Sequence, residues 1–281
     1  MPIDPRIVGK ELKPLDFVYQ NRDLILYALG IGAGAGKDEL KFVYESELQA
    51  LPTFGVIPPF PALSGFIDLK GVEINPAMLL HGEQYLELYR PIPPEGRVTS
   101  YPRISALYDK GKGALIEIEA TTKDERGDAL FLNRFGVFIR GEGGFGGEKG
   151  PDPGHFPPER EPDQVVSLPT LPQQALIYRL SGDYNPLHAD PDFAAMGGFP
   201  RPILHGLCTM GFACRAVLRA YGENNPANFK AMKVRFSRPV FPGEVIVTEM
   251  WQEKTGEVII RSKTAERGEY CLTNAAIWLN P

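Results

Sequence analysis

Cysteine is scarce in this chain. Cys208, Cys214 and Cys271 make an odd count without Cys-x-x-Cys spacing. That excludes a disulfide framework or a zinc site built on paired thiols. Cys208 and Cys214 lie in an apolar stretch and read as small buried hydrophobes, which fits a reducing compartment. Long apolar runs are missing too. None reaches the ~20 residues of a membrane-spanning helix, so no stable membrane insertion is expected. Residues 1–9 lack the basic-then-apolar pattern of a secretory signal. Trp278-Leu279-Asn280-Pro281 is not a Ser-Lys-Leu-like peroxisomal address. Basic charge is not in excess: 30 Lys and Arg face 35 Asp and Glu, for a formal charge of −5. This argues against a nucleic-acid partner but leaves room for a local patch that meets an anionic substrate. Histidine is rare as well, with only four in the chain.

Glycine and proline, by contrast, are plentiful, and they mark the organisation. Gly141 to Gly150 is glycine-rich and runs into Pro151-Asp152-Pro153-Gly154-His155-Phe156-Pro157-Pro158. Glycine loosens the chain and proline stops helix and sheet. The expected division is residues 1–145, a flexible linker over 146–159, and residues 160–281. His155 falls in the linker and reads as solvated.

The two halves echo each other. Asp124-Glu125-Arg126-Gly127 returns as Ala265-Glu266-Arg267-Gly268, each between two strand-like runs. Upstream, Arg90-Pro91-Ile92-Pro93 resembles Arg238-Pro239-Val240-Phe241. Echoes in a kept order suggest a duplicated fold. Each half reads as α+β. Short helices are expected over 23–29 and 173–180, and a long apolar helix from Gly206 to Tyr221, stopped by Gly222. Strands are expected over 230–236, 244–254, 257–265 and 270–279, separated by Gly-containing turns. The first half cannot copy the long helix. Pro58, Pro59 and Pro61 stand where it would run. A lost helix leaves space for an apolar cavity.

The chemistry concentrates in Gly182-Asp183-Tyr184-Asn185-Pro186-Leu187-His188. Asp183 and His188 do not share a helical face, and Pro186 disfavours a helix between them. A loop folding back would aim both at one site, an acid–base pair with Asn185 as an orienting donor and acceptor. Asp183 and Asn185 also suit turn capping, and His188 a satisfied half-buried position. Pro202-Ile203-Leu204-His205-Gly206 then opens the long helix. Its first N–H groups can face negative charge on a substrate oxygen, and Gly206 permits close approach. His205 suits a cap or a loop hydrogen bond, with direct catalysis as the alternative. His188, Asp190 and His205 have no familiar metal-ligand spacing, so no metal is expected. Gly30-Ile31-Gly32-Ala33-Gly34-Ala35-Gly36 follows a helical segment and has no Walker lysine, so it reads as a helix end rather than a phosphate loop.

Taken together, these motifs resemble the MaoC-like, or type 2, enoyl-CoA hydratases. The chain is especially similar to the hydratase region of peroxisomal multifunctional β-oxidation enzymes. Gly182 to His188 matches the hydratase motif, and Pro202 to Gly206 the oxyanion-hole element. The likeness extends to Tyr27-Ala28-Leu29-Gly30 and Leu80-His81-Gly82-Glu83-Gln84. The resemblance implies an α+β double hot-dog fold with two antiparallel sheets, each associated with a central helix, the first degenerate. It implies reversible hydration of trans-2-enoyl-CoA to (3R)-3-hydroxyacyl-CoA. Asp183 and His188 would activate water and move protons, Asn185 would position them, and the Gly206 N–H would hold the thioester oxygen. No cofactor or metal is implied, since CoA arrives on the substrate. The first half lacks the Asp–Asn–His set and would take the acyl tail. His81 reads as structural. Arg201, Lys230, Lys233 and Arg235 are the basic residues near the site in sequence. A homodimer is compatible with the resemblance. So is a peroxisomal location for a multifunctional-enzyme segment, or a cytoplasmic one for a free-standing microbial protein. The competing readings are an acyl-CoA thioesterase, an acyl-carrier-protein dehydratase and a non-catalytic acyl-CoA-binding protein.

Overall fold

Ten strands form one antiparallel sheet in the order β1-β3-β4-β5-β2-β7-β10-β9-β8-β6. The computed structural model describes residues 3–75 and 78–280; the extreme ends of the two expected halves, at 1 and 281, lie outside the described residues. The first half supplies β1 (Leu15–Tyr19), β2 (Leu79–Leu88), β3 (Gly96–Asp109), β4 (Gly113–Asp124) and β5 (Ala129–Arg140). The second supplies β6 (Gln164–Pro169), β7 (Phe229–Phe236), β8 (Val245–Lys254), β9 (Glu257–Thr264) and β10 (Tyr270–Leu279). Read outward from the centre, both halves place their own second, fifth, fourth, third and first strands in that order. The repeated turns fit this duplication. Gly127 and Gly268 lie at φ +85° and +66°, the left-handed conformation that tight hairpins require.

The two half-sheets are not separate layers. They join edge to edge through β2 and β7, with Glu83 opposite Arg235 and Leu86 opposite Met232. Each half therefore covers the other's open edge, which removes two exposed strand edges.

The helices are unequal, as the prolines require. α1 (Asn21–Gly30) begins with a capping box in which Asp23 and Gln20 satisfy each other's main-chain N–H groups. Over Pro52–Val56 the chain makes only a 3-10 turn, and α2 (Ala62–Gly65) is a single turn. α3 (Gln174–Tyr178) and α4 (Pro191–Met196) are also short. α5 spans Gly206–Tyr221, and every residue from Leu207 to Leu218 is buried. A helix buried all round is a core element rather than a surface one. It packs among Met232, Val234, Met250 and Ile277 of the second half-sheet and Leu86 of the first.

Arg215 is the charged exception inside α5. Its guanidinium donates to the Ile31 carbonyl at 2.8 Å and to Glu39 Oε1 at 2.6 Å. Glu39 Oε2 accepts the Gly34 N–H at 3.0 Å. The glycine-rich stretch is thus a helix end pinned to α5. Gly32 is needed there, because at φ +75° a Cβ would meet the Phe212 ring at 2.6 Å.

The segment between the halves has neither helix nor strand over residues 141–163. It is nevertheless tied down. The Asp109 carboxylate accepts N–H groups of Gly144 and Gly146, both at 2.8 Å. Lys233 donates to the Pro153 carbonyl at 3.0 Å, and Asn274 to that of Gly154 at 2.9 Å. His155 is not simply solvated: it is half-buried, its ring edge-on to Trp278 at 5.2 Å.

Candidate active site

The loop after α3 turns sharply at Gly182, whose φ of +130° is open to glycine and strained for other residues. Asp183 follows, and its Oδ1 accepts the Asn185 N–H at 3.2 Å. Asn185 Oδ1 in turn accepts the Leu187 N–H at 3.0 Å, capping the 3-10 turn Pro186–His188. The capping role foreseen for these residues is real, and it folds the loop so that His188 comes back beside Asp183. His188 Nδ1 lies 2.8 Å from the Ile203 carbonyl. A carbonyl only accepts, so Nδ1 carries the proton and Nε2 keeps its lone pair. Ile203 N–H donates to the Leu187 carbonyl at 3.3 Å, which ties the loop to the segment that starts α5.

Asp183, Asn185, His188 and Gly206 all line one cavity of about 1590 Å³. Gly206 opens α5, where its N–H has no partner within the helix. A Cβ there would stand 3.0 Å from the Phe236 ring, so the position suits glycine. Burial shifts the acid–base pair in opposite senses. It raises the Asp183 carboxyl, which the His188 charge partly offsets. It lowers His188, which Asp183 partly offsets. The pair is suited to exchanging protons as a unit.

His205 belongs to the same cluster, which the chain order alone did not reveal. It is 1 % exposed, its Nε2 lies 3.2 Å from the Asp183 carbonyl, and its ring stacks on His188 at 3.7 Å and 26°. Asp183, His188 and His205 have ligand atoms within 4.8 Å of one another. They fit a metal poorly. The two rings lie stacked on each other rather than turned toward one point, and one nitrogen of each, His188 Nδ1 and His205 Nε2, is already held by a main-chain carbonyl. Asp190 is not in the cluster. It caps α4, accepting N–H groups of Asp192 and Phe193.

The basic residues divide. Lys233 and Arg235 line the cavity, whereas Arg201 and Lys230 do not. Arg201 instead stacks on Phe241 at 5.0 Å. Lys110, Lys112, Arg140 and Arg238 also line it, and nothing local in sequence marked them. From the first half come the apolar Phe60, Leu63, Ile67 and Leu79. His81 lines the cavity as well. Its Nε2 lies 3.1 Å from Gln84 Oε1, and Gln84 Nε2 donates to Asn133 Oδ1 at 2.8 Å. Asn133 Nδ2 then donates to the Gly55 carbonyl at 2.9 Å. This chain anchors the proline-broken segment to the sheet. Burial lowers His81 to about 4.

A long buried helix held against a ten-stranded antiparallel sheet, in two matching halves, is the double hot-dog class. A Mycobacterium tuberculosis protein described as having a double hotdog fold aligns over 96% of this chain with TM-score 0.56, at 11% identity, which speaks to fold alone. Residues 17–141 match the MFE-2 hydratase 2 N-terminal domain, and residues 155–274 match the MaoC like domain. A "Probable enoyl-CoA hydratase 2" of Dictyostelium discoideum is 44% identical, over 98% of this chain and 96% of its own length. An "Enoyl-CoA hydratase 2, peroxisomal" of Arabidopsis thaliana is 42% identical, over 95% of this chain and 92% of its own length. The crystal structure of a MaoC-like dehydratase from Phytophthora capsici superposes with TM-score 0.88 at 40% identity, covering 98% of this chain and 97% of that one. This chain belongs to the MaoC-like hydratase 2 family.

Proposed function

We propose that the protein catalyses reversible hydration of trans-2-enoyl-CoA to (3R)-3-hydroxyacyl-CoA. The observation that carries this reading is the convergence of Asp183, His188 and the Gly206 N–H on one cavity. The thioester oxygen gains negative charge as water adds to C3, or in the reverse direction as C2 is deprotonated, and gives it up when C2 is protonated. A main-chain N–H fixed at a helix start stabilises that charge without reorganising. His188 Nε2 takes a proton from water as its oxygen adds to C3, and the coupled Asp183–His188 pair passes that proton on to C2. The pair acts as one unit and no net proton is consumed. Asn185 acts by holding the turn that carries His188.

The division of labour follows the two halves. Residues 160–281 hold the acid–base pair and the oxyanion donor. Residues 1–145 give the acyl tail the space that a regular helix would have filled. Lys233 and Arg235 are assigned to the anionic CoA end, since both are cavity-lining cations. CoA is the carrier on the substrate, and the chemistry calls for no separate cofactor or metal. A peroxisomal setting in fatty-acid β-oxidation accords with the compartment named for the Arabidopsis relative. Assembly as a homodimer accords with this reading too.

An assay with crotonyl-CoA and a longer trans-2-enoyl-CoA tests the proposal, with chiral analysis of the product. Loss of the enoyl group with formation of (3R)-3-hydroxyacyl-CoA is expected. Release of free CoA thiol without that product would make the protein a thioesterase instead.

A further inference from the structure

The peptide whose N–H is assigned to the thioester oxygen joins Gly206 to His205. His205 itself is 1 % exposed. Its Nε2 is 3.2 Å from the Asp183 main-chain carbonyl and 4.0 Å from Asp183 Oδ2. Because a carbonyl only accepts, Nε2 carries the proton. The ring lies on His188, with 3.7 Å between centroids, and meets the Tyr178 ring at 4.9 Å. Nδ1 is buried with no hydrogen-bond partner among the described residues. A bare lone pair tolerates that place better than a proton would, since a buried N–H without an acceptor is costly.

We infer that His205 is a positioning residue of the reaction, a neutral imidazole that ties the Asp183 main chain and the His188 ring to the peptide bearing the Gly206 N–H. The role rests on the hydration reading above. One side chain thereby fixes the acid, the base and the oxyanion donor relative to one another. Neutrality is part of the role. When His188 holds the proton taken from water, a second imidazolium stacked on it would oppose that charge. The groups facing His205 are His188, Asp183, Tyr178 and, through its charge, Arg179. Burial first, and then His188, keep His205 well below the ordinary histidine range.

Two measurements test this on the full chain. With 15N-labelled histidine, only four side chains need assignment. The wild-type His205 ring should stay a neutral Nε2–H tautomer from about pH 5 to about pH 8. An imidazolium or an Nδ1–H ring in that range overturns the inference. The second measurement is the pH profile of hydration by His205→Gln and His205→Phe. Gln keeps an N–H donor and loses the ring face; Phe keeps the face and loses the donor. Both should lose kcat by roughly 10- to 100-fold, as a misplacement of about 1 Å does. KM should hold within about 3-fold, and the acid limb of the kcat profile should move as His188 loses its neighbour. Unchanged kcat and acid limb, or a loss confined to KM, overturns the role. If either variant fails to melt cooperatively, the other variant and the wild-type tautomer decide. A wild type that releases CoA thiol without hydration overturns the reaction itself, and this role with it, while the tautomer result stands separately.

Discussion

Asp183→Asn keeps the oxygen that accepts the Asn185 N–H and removes only the ionisable group. Its expected cost in kcat is roughly 100- to 10,000-fold, the span of a general acid–base group. Its effect on stability should have the opposite sign. Burial raises the folded carboxyl above its unfolded value, so ionising it at neutral pH works against the folded state. The variant should therefore melt at or above the wild-type temperature at pH 7. An inactive variant that melts well below the wild type would show that Asp183 is structural rather than catalytic. The buried imidazoles work in the other direction. His188 and His205 are lowered by burial, and His81 is lowered to about 4. Unfolded histidines protonate near pH ~6.5, so the unfolded chain binds more protons below that point. Stability from these groups is present above pH ~6.5 and is lost as pH falls toward their folded values. Thermal melts should decline between pH ~6.5 and about 4, and His81→Gln should flatten part of that decline. A wild-type melting temperature that stays flat over that interval would contradict the neutral burial of all three.

α5 and its neighbours show which elements the sequence discloses. Both ends of Gly206–Tyr221 were legible, because an apolar run ended by Gly222 is a strong local signal. β9 alternates inside and outside along its whole length, and β10 runs over the expected 270–279. β2 is not legible as a strand. Its register shifts between His81 and Glu83, which spoils the alternation that marks a strand. The histidine stack was hidden for a different reason. His188 and His205 meet because the Leu187–Ile203, His188–Ile203 and Asp183–His205 hydrogen bonds bring two segments together. No residue spacing encodes that contact. At this scale Arg215 is the decisive side chain, since it ties buried α5 to the Ile31–Glu39 stretch through charge. Arg215→Met should fill the space but leave the buried Glu39 charge without its cation, held by the Gly34 N–H. The expected loss is about 3–5 kcal/mol in urea unfolding. A change within about 0.5 kcal/mol would mean that solvent reaches Glu39.

The whole molecule is a duplicated unit in which one copy kept the helix and the other kept the room. The strand order is the same in each half, so the sheets share one topology. The larger difference lies in the layer above them, where a 3-10 turn, Pro58, Pro59 and Pro61, and the single turn of α2 stand in place of a long helix. The hydrogen-bond chain through Gln84 and Asn133 to the Gly55 carbonyl keeps that irregular backbone satisfied away from water. Without it, the segment would not hold its place beside an apolar cavity. If the tail lies there, selectivity for acyl length belongs to the first half, while the rate on a short substrate belongs to the second. Ile67 lines the cavity from the first half and is only partly buried, so a larger side chain there fills space without breaking the core. Ile67→Trp should leave hydration of crotonyl-CoA within about 2-fold of wild type. It should lower kcat/KM for a decenoyl-CoA by roughly 10-fold or more, because several methylenes lose their site and each is worth about 1–3 kcal/mol. Equal losses on both substrates would place the tail elsewhere and leave the proline-broken segment with a purely structural role.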